Sequence, residues 1–242
     1  MIKHLANVRI VLVGTSHPGN IGGAARAMKN MHLERLYLVA TKVFPHREAI
    51  ARSAGASDIL ANAIVCRSLV EALEGCTLVV ATSARRRTLR WPQLAPKDCA
   101  QRMLEHAVNN DVALVFGRER TGLSNAELDL CHFMTYIPCN PEFRSLNLAA
   151  AVQIMSYELM HATHGVFMPG DEEIHLSLAD AGEVERFYQH LEQTLIALEF
   201  LDPRNPKHLM RRLRRMFNRI RLSQVEVSIL RGILTAAQKH IT

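Results

Sequence analysis

The chain has 242 residues, 48% of them apolar, and its 29 Lys/Arg against 23 Asp/Glu give a net charge of +6 with a pI near 9.3. A chain of this length buries a full core and leaves room for a small second module, and its basic balance favours a polyanionic partner. Five cysteines without a C-x-x-C pair argue against a disulfide framework or zinc site, no apolar run reaches membrane-spanning length, and Asn7 and Arg9 interrupt the first apolar stretch, so no secretory leader or membrane contact is expected and the cytoplasm is the expected location.

Apolar runs rich in β-branched residues at Val8–Val13 and at 36–39, 78–81, 112–116 and 133–137 read as central parallel strands. Helical stretches separate them. Ile21, Ala24, Ala25 and Met28 share one helix face with Asn20 as N-cap, and Ser124 to Glu127 forms a capping box. Such alternation predicts an α/β fold with a mostly parallel sheet. A helix over about 146–164 is expected to end at Gly165, and 166–173, with Met168-Pro169-Gly170-Asp171, reads as a linker. The expected domains are therefore 1–165 and a small all-helical extension, 166–242. In the extension, Val184, Phe187, Leu191, Leu195 and Leu198 mark one helix. Asp202-Pro203 and Asn205-Pro206 mark a turn, and Leu209, Leu213, Phe217 and Ile220 a second helix. A third helix starts at Ser223 with a capping box to Glu226.

Charge is distributed unevenly. Residues 171–202 carry nine acidic groups and one Arg, whereas 203–242 carry ten Lys/Arg and one Glu. Helical spacing turns Leu213, Phe217 and Ile220 inward and leaves much of the array Arg211, Arg212, Arg214, Arg215 and Arg219 exposed, which suits contacts to phosphate. Pairing with the acidic helix upstream is the plainer account, and both can hold in part. The loop Arg85-Arg86-Arg87, followed by the chain's only Trp, suggests a second contact to an RNA backbone, with Trp91 stacking on a base or anchoring the loop in the core. The scattered histidines His17, His132, His161 and His164 show no ligand spacing, so no metal is expected.

Three separated pieces carry the chemistry: Asn20-Ile21-Gly22-Gly23-Ala24-Ala25-Arg26, the segment from Val115 through Gly117, Glu119, Arg120 and Gly122 to Leu123, and Ile137-Pro138 with Ser145-Leu146-Asn147-Leu148. Each follows a predicted strand, so each is expected in a strand-to-helix loop at the carboxyl edge of the sheet, around one pocket. In order and spacing they resemble the motifs of the SpoU branch of the SPOUT superfamily, knotted RNA 2′-O-methyltransferases that use S-adenosylmethionine. Further matches at Thr15-Ser16-His17, Thr82-Ser83-Ala84-Arg85, Asn140-Pro141-Glu142 and 211–234 extend the resemblance over nearly the whole chain, toward bacterial tRNA-modifying members.

The resemblance implies a C-terminal trefoil knot in the first domain, a homodimer, and methylation of cytidine or uridine at nucleotide 32, the start of the tRNA anticodon loop. It implies S-adenosylmethionine held by Thr82, Ser83, Ala84, Gly117, Glu119, Arg120, Gly122, Ile137, Ser145, Leu146 and Asn147. It also implies catalysis by Arg26 with Asn20, Ser145 and Asn147, Arg26 facing the methyl donor of the other protomer. A guanidinium is a poor proton acceptor at neutral pH, so Arg26 is expected to hold the target phosphate and the emerging oxyanion rather than act as base. The plain alternatives are turn glycines at Gly22-Gly23, N-caps at Asn20 and Ser145, and a surface ion-pair partner at Glu119. Other classes weighed are methylation at another tRNA or rRNA site, a catalytically silent RNA-binding protein on the same scaffold, and a dinucleotide-binding oxidoreductase. The last lacks Gly-x-Gly-x-x-Gly between Gly14 and Gly23.

Overall fold

Apolar on both sides of every central strand, the chain builds a sheet covered on both faces. The computed structural model describes residues 2–83, 91–143, 145–163 and 177–240. Its strands are β1 (Val8–Val13), β2 (Arg35–Val39), β3 (Ile64–Cys66), β4 (Cys76–Thr82), β5 (Gln93–Leu94), β6 (Asp111–Phe116) and β7 (Phe133–Thr135). They form one sheet in the order β3-β2-β1-β6-β4-β7-β5, with every pairing parallel. Ile10 and Leu12 of β1 face one core while Val11 and Val13 face the other, and Leu114 and Val115 of β6 divide in the same way. Burial on both faces is why these strands read as near-continuous apolar runs rather than alternating ones.

The first core is covered by α1 (Pro18–Asn30), α2 (Arg47–Ser53), α3 (Ser57–Ala61), α5 (Pro96–His106) and α7 (Leu148–Ala162). The second is covered by α4 (Leu69–Leu73) and α6 (Asn125–Leu128), and Trp91 is buried in it. Trp91 therefore takes the core-anchoring role, donating from Nε1 to the Cys131 carbonyl at 3.3 Å. Three more helices, α8 (Ala181–Ala197), α9 (Leu209–Ile220) and α10 (Gln224–Lys239), share a third core of Val184, Phe187, Tyr188, Leu191, Leu222 and Val227. Phe187 meets Phe217 edge to face with centroids 5.0 Å apart.

These helices dock on the sheet domain through polar groups. Asn218 donates to the carbonyls of Asp129 and Cys131 at 3.3 Å each and accepts from the Tyr188 hydroxyl at 2.6 Å. Arg211 pairs with Asp129 at 3.2 Å, and Arg214 forms a two-pronged pair with Glu185 at 2.5 and 2.8 Å. Of the five predicted RNA-binding arginines in α9, these two are thus engaged within the chain.

Several expectations need correction. The short edge strands β3 and β5 were not expected: Ile64 and Val65 stay about half exposed, so they lack the buried-strand pattern. Helix α1 begins at Pro18, whose fixed φ suits a first helical position, with His17 at the N-cap. Asn20 therefore lies inside the first turn, and the glycine motif sits in the helix rather than in the loop before it. Helix α7 spans 148–162 instead of 146–164, and Asn147, not Ser145, caps it by accepting from the amides of Ala149 and Ala150. Ile220 is 64% exposed because it ends α9, where Arg221 leaves the helix with φ +53; Leu198, 47% exposed, likewise lies just past the end of α8. Gly165, the linker at 166–173 and hence the boundary drawn there fall outside the described residues, as do Ala84, Arg85, Arg86, Arg87 and His164.

Candidate active site

The carboxyl ends of β1, β6, β4 and β7 are neighbours in the sheet, so the segments that follow them meet above one edge. After β1 the chain turns through Thr15 and Ser16 into α1. After β6 it forms a small loop closed by mutual backbone hydrogen bonds between Arg118 and Gly122. That closure requires Gly117, where a Cβ would lie 2.3 Å from the backbone of Gly122 and Leu123. The glycine thus lets the loop fold on itself.

Glu119 leaves this loop and reaches the start of α1. Its carboxylate accepts from Asn20 Nδ2 at 2.9 Å, Ser16 Oγ at 2.9 Å, the Ser16 amide at 3.2 Å and the His17 amide at 3.3 Å. A carboxylate at a helix N-terminus also complements the local positive field. Partial burial pushes the Glu119 carboxyl upward, but the hydrogen bonds from Asn20 and Ser16 outweigh it and hold the group below the usual carboxylate range. Asn147, capping α7, donates from Nδ2 to Asn20 Oδ1 at 2.9 Å. One connected set of side chains thereby joins all three motifs.

Beside that set lies a cavity of about 720 Å3. Of the residues expected to hold a cofactor, Thr82, Ser83, Gly117, Glu119, Arg120, Gly122, Ile137, Ser145 and Leu146 line it, while Asn147 is not in the lining and caps α7. Phe116, Arg118, Thr121, Cys139, Pro141, Glu142, Phe143, Leu148 and Ala151 also line it and were not picked out as site residues. Asn140 shapes one rim by accepting from the Glu142 amide at 2.9 Å, and Phe143 stands 77% exposed there. The Asn140-Pro141 turn was the available signal for that rim. Arg118 belongs to the second motif, but its part was not legible there: its two-pronged pair with Glu127, at 3.0 Å on both prongs, couples the loop to α6 and is a tertiary contact.

The predicted catalytic residues divide. Asn20 and Asn147 are hydrogen-bonded to each other, and Ser145 is exposed on the cavity wall. Arg26 is exposed on α1, six residues and about 9 Å of helix beyond Asn20, and is not part of the cavity lining. Arg212 and Arg219 are exposed and Arg215 half-buried, none in an ion pair among the described residues. His132 is buried and accepts from the Val79 amide at 3.0 Å, a satisfied core histidine. Among the described residues no His/Cys/Asp/Glu group could hold a metal, and no helix is long and apolar enough to cross a membrane.

A fully parallel sheet with a cavity built from the segments after β4, β6 and β7 is an arrangement in which α/β proteins hold ligands, and comparison with known proteins gives the family. The model of the SpoU rRNA methylase family matches residues 7–157, and that of the TrmJ tRNA methyltransferase C-terminal domain matches 182–242. The chain belongs to the SpoU methylase family. Among its relatives, the tRNA (cytidine/uridine/adenosine-2′-O-)-methyltransferase TrmJ of Pseudomonas aeruginosa is 53% identical, over 97% of this chain and 95% of its own length. The tRNA (cytidine/uridine-2′-O-)-methyltransferase TrmJ of Pectobacterium atrosepticum is also 53% identical, over 97% and 98%. The crystal structure of TrmJ from Z. mobilis ZM4 superposes with a TM-score of 0.83 at 33% identity, covering 94% of this chain and 97% of that one.

Proposed function

We propose that this chain methylates the ribose 2′-hydroxyl of a pyrimidine nucleotide in tRNA, at nucleotide 32, with S-adenosylmethionine as donor and as a cytoplasmic homodimer. The observation that carries the reading is the Asn147–Asn20–Glu119 chain of hydrogen bonds, which gathers three motifs far apart in sequence at one cavity in a chain similar end to end to tRNA 2′-O-methyltransferases. The name of the Pseudomonas relative adds adenosine to the bases such a site accepts.

The cavity suits the donor. Its volume is in the range of sites for nucleoside-sized ligands, and its wall alternates apolar side chains at Ile137 and Leu146 with hydroxyls at Thr82, Ser83 and Ser145. When bound, S-adenosylmethionine supplies a methyl group on a positively charged sulfur. The chain's own residues do the rest. Asn20 and Asn147 are positioning residues, their amides spent on Glu119, on each other and on the start of α7. Ser145, a hydroxyl exposed on the cavity wall, contacts the ribose. Arg26 holds the phosphate beside the target and stabilises the developing alkoxide, while the hydroxyl proton leaves to phosphate or water.

Because Arg26 lies outside the cavity of its own chain, the reading assigns it to the cavity of a partner protomer. The trefoil knot belongs to the same reading, as do RNA contacts by Arg212, Arg215 and Arg219. Incubation with labelled S-adenosylmethionine and unmodified tRNA, followed by mass-spectrometric mapping, tests it. A 2′-O-methyl group at nucleotide 32 is expected. Label elsewhere in tRNA or in rRNA moves the site, and no label despite binding of donor and tRNA means a silent RNA-binding protein.

A further inference from the structure

Between α8 and α10 lies a second concavity, a groove of about 530 Å3 far from the motifs above in sequence. Arg186 and Arg231 both line it, both are exposed, and neither forms an ion pair among the described residues. Arg186 is the single basic residue of the otherwise acidic stretch 171–202. Of its acidic neighbours, one is committed elsewhere and one shares the groove. Glu185 pairs with Arg214, and Glu183, which shares the groove, accepts from the Asp180 amide at 2.9 Å and from Gln224 Nε2 at 3.5 Å. Two cations of this acidic-basic pair of segments thus line one groove, and the Ser228 hydroxyl lines it as well.

Gly232 supplies an independent observation. It sits in the interior of α10, where glycine disfavours the helix, yet a Cβ built there meets nothing within 4 Å. No packing contact demands a glycine. What its missing side chain leaves open is the groove it lines.

We propose that the α8–α10 groove is a phosphate-binding cleft that grips the RNA backbone through Arg186 and Arg231, separate from the arginines exposed on α9. This deepens the functional reading and rests on it. A groove of this volume accommodates a nucleotide-sized group rather than a lone phosphate, and its lining sets two cations, Arg186 and Arg231, against the single carboxylate of Glu183.

The test measures binding of unmodified tRNA to the full-length protein across a series of KCl concentrations, for wild type, for Arg186→Ala combined with Arg231→Ala, and for Gly232→Leu. The double variant is expected to bind roughly ten-fold more weakly, with a log–log salt slope shallower by about one for each arginine removed. Gly232→Leu is expected to weaken binding while thermal stability holds or rises, because leucine favours the helix and fills the groove. That pair of readings separates a blocked cleft from a misfolded helix. Wild-type affinity and slope in the double variant overturn the cleft while leaving the methyltransferase reading intact. A wild-type protein that binds no tRNA overturns both. Inorganic phosphate alone raising the melting temperature as much as tRNA does, and losing that effect in the double variant, makes the groove a free-anion site and overturns the RNA assignment.

Discussion

Asn20 and Glu119, 99 residues apart in sequence, are joined at 2.9 Å, and through that bond the loop after β6 holds the first turn of α1. The carboxylate is matched entirely by donors: two amides, a hydroxyl and a side-chain NH2. Glu119→Gln keeps the shape but turns an NH2 toward those donors. A stability loss of about 1–3 kcal/mol in urea denaturation is expected, together with weaker donor binding by calorimetry. Wild-type values for both would show that the link is incidental.

Arg26 is exposed and has no partner among the described residues, so Arg26→Ala should change stability by no more than about 0.5 kcal/mol. Methyl transfer should nevertheless fall by roughly a hundred-fold or more, with donor affinity unchanged, as for loss of a group that acts on developing charge. Equal loss of donor binding and turnover would make the residue structural.

Gly22 packs α1 on α2 so closely that a Cβ would sit 2.1 Å from the Ala49 carbonyl oxygen. Alanine gains up to about 1 kcal/mol of helix propensity. Forcing the two backbones apart costs about 1–3 kcal/mol or more, and the contact lies against rigid backbone, so the second effect wins. Gly22→Ala should lower the denaturation midpoint; a raised midpoint would contradict the packing.

Asn218 is 6% exposed and holds two carbonyls of the sheet domain and the Tyr188 hydroxyl at once. Truncation to alanine leaves all three without that partner, at a cost of about 2–4 kcal/mol. Amide exchange should quicken across α8–α10 and not in β1 or β6. Uniform acceleration through the whole chain would argue against a localised dock.

Burial, helped by the nearby Arg221 charge, pushes the imidazole of His132 down to about 4 and that of His106 to about 3. Both are neutral in the fold, whereas unfolded histidine takes up a proton near pH 6.5. The unfolded chain thus binds more protons between about pH 6.5 and 4, and stability must fall as pH drops through that window. Their contribution is complete above pH 6.5. Urea denaturation at pH 7.5, 6.5, 5.5 and 4.5 should show the decline, and His132→Asn should flatten it; a flat wild-type profile would sink this account.

What could be read from the sequence was local. The near-continuous apolar runs of β1 and β6, broken only by Arg9 and the opening Asp111, mark strands because both faces are buried. The capping boxes from Ser124 to Glu127 and from Ser223 to Glu226 lie where their i, i+3 spacing places them. The order and spacing of three motifs pointed to one pocket and to the family. Other decisions needed partners distant in the chain. Sheet order places β6 next to β1 and β7 two strands beyond β6, with their ends at one edge, and only then does Glu119 meet Asn20 or Asn147 meet Asn20. The same holds for α9: its arginine pattern is periodic, yet Arg214 turns to Glu185 and Arg211 to Asp129 because those carboxylates are where the docked helix lies, while Arg212 and Arg219 remain in solvent. Spacing along a helix determines which side chains share a face. Which face meets a carboxylate depends on how separately formed elements pack, and that is settled only by the folded chain.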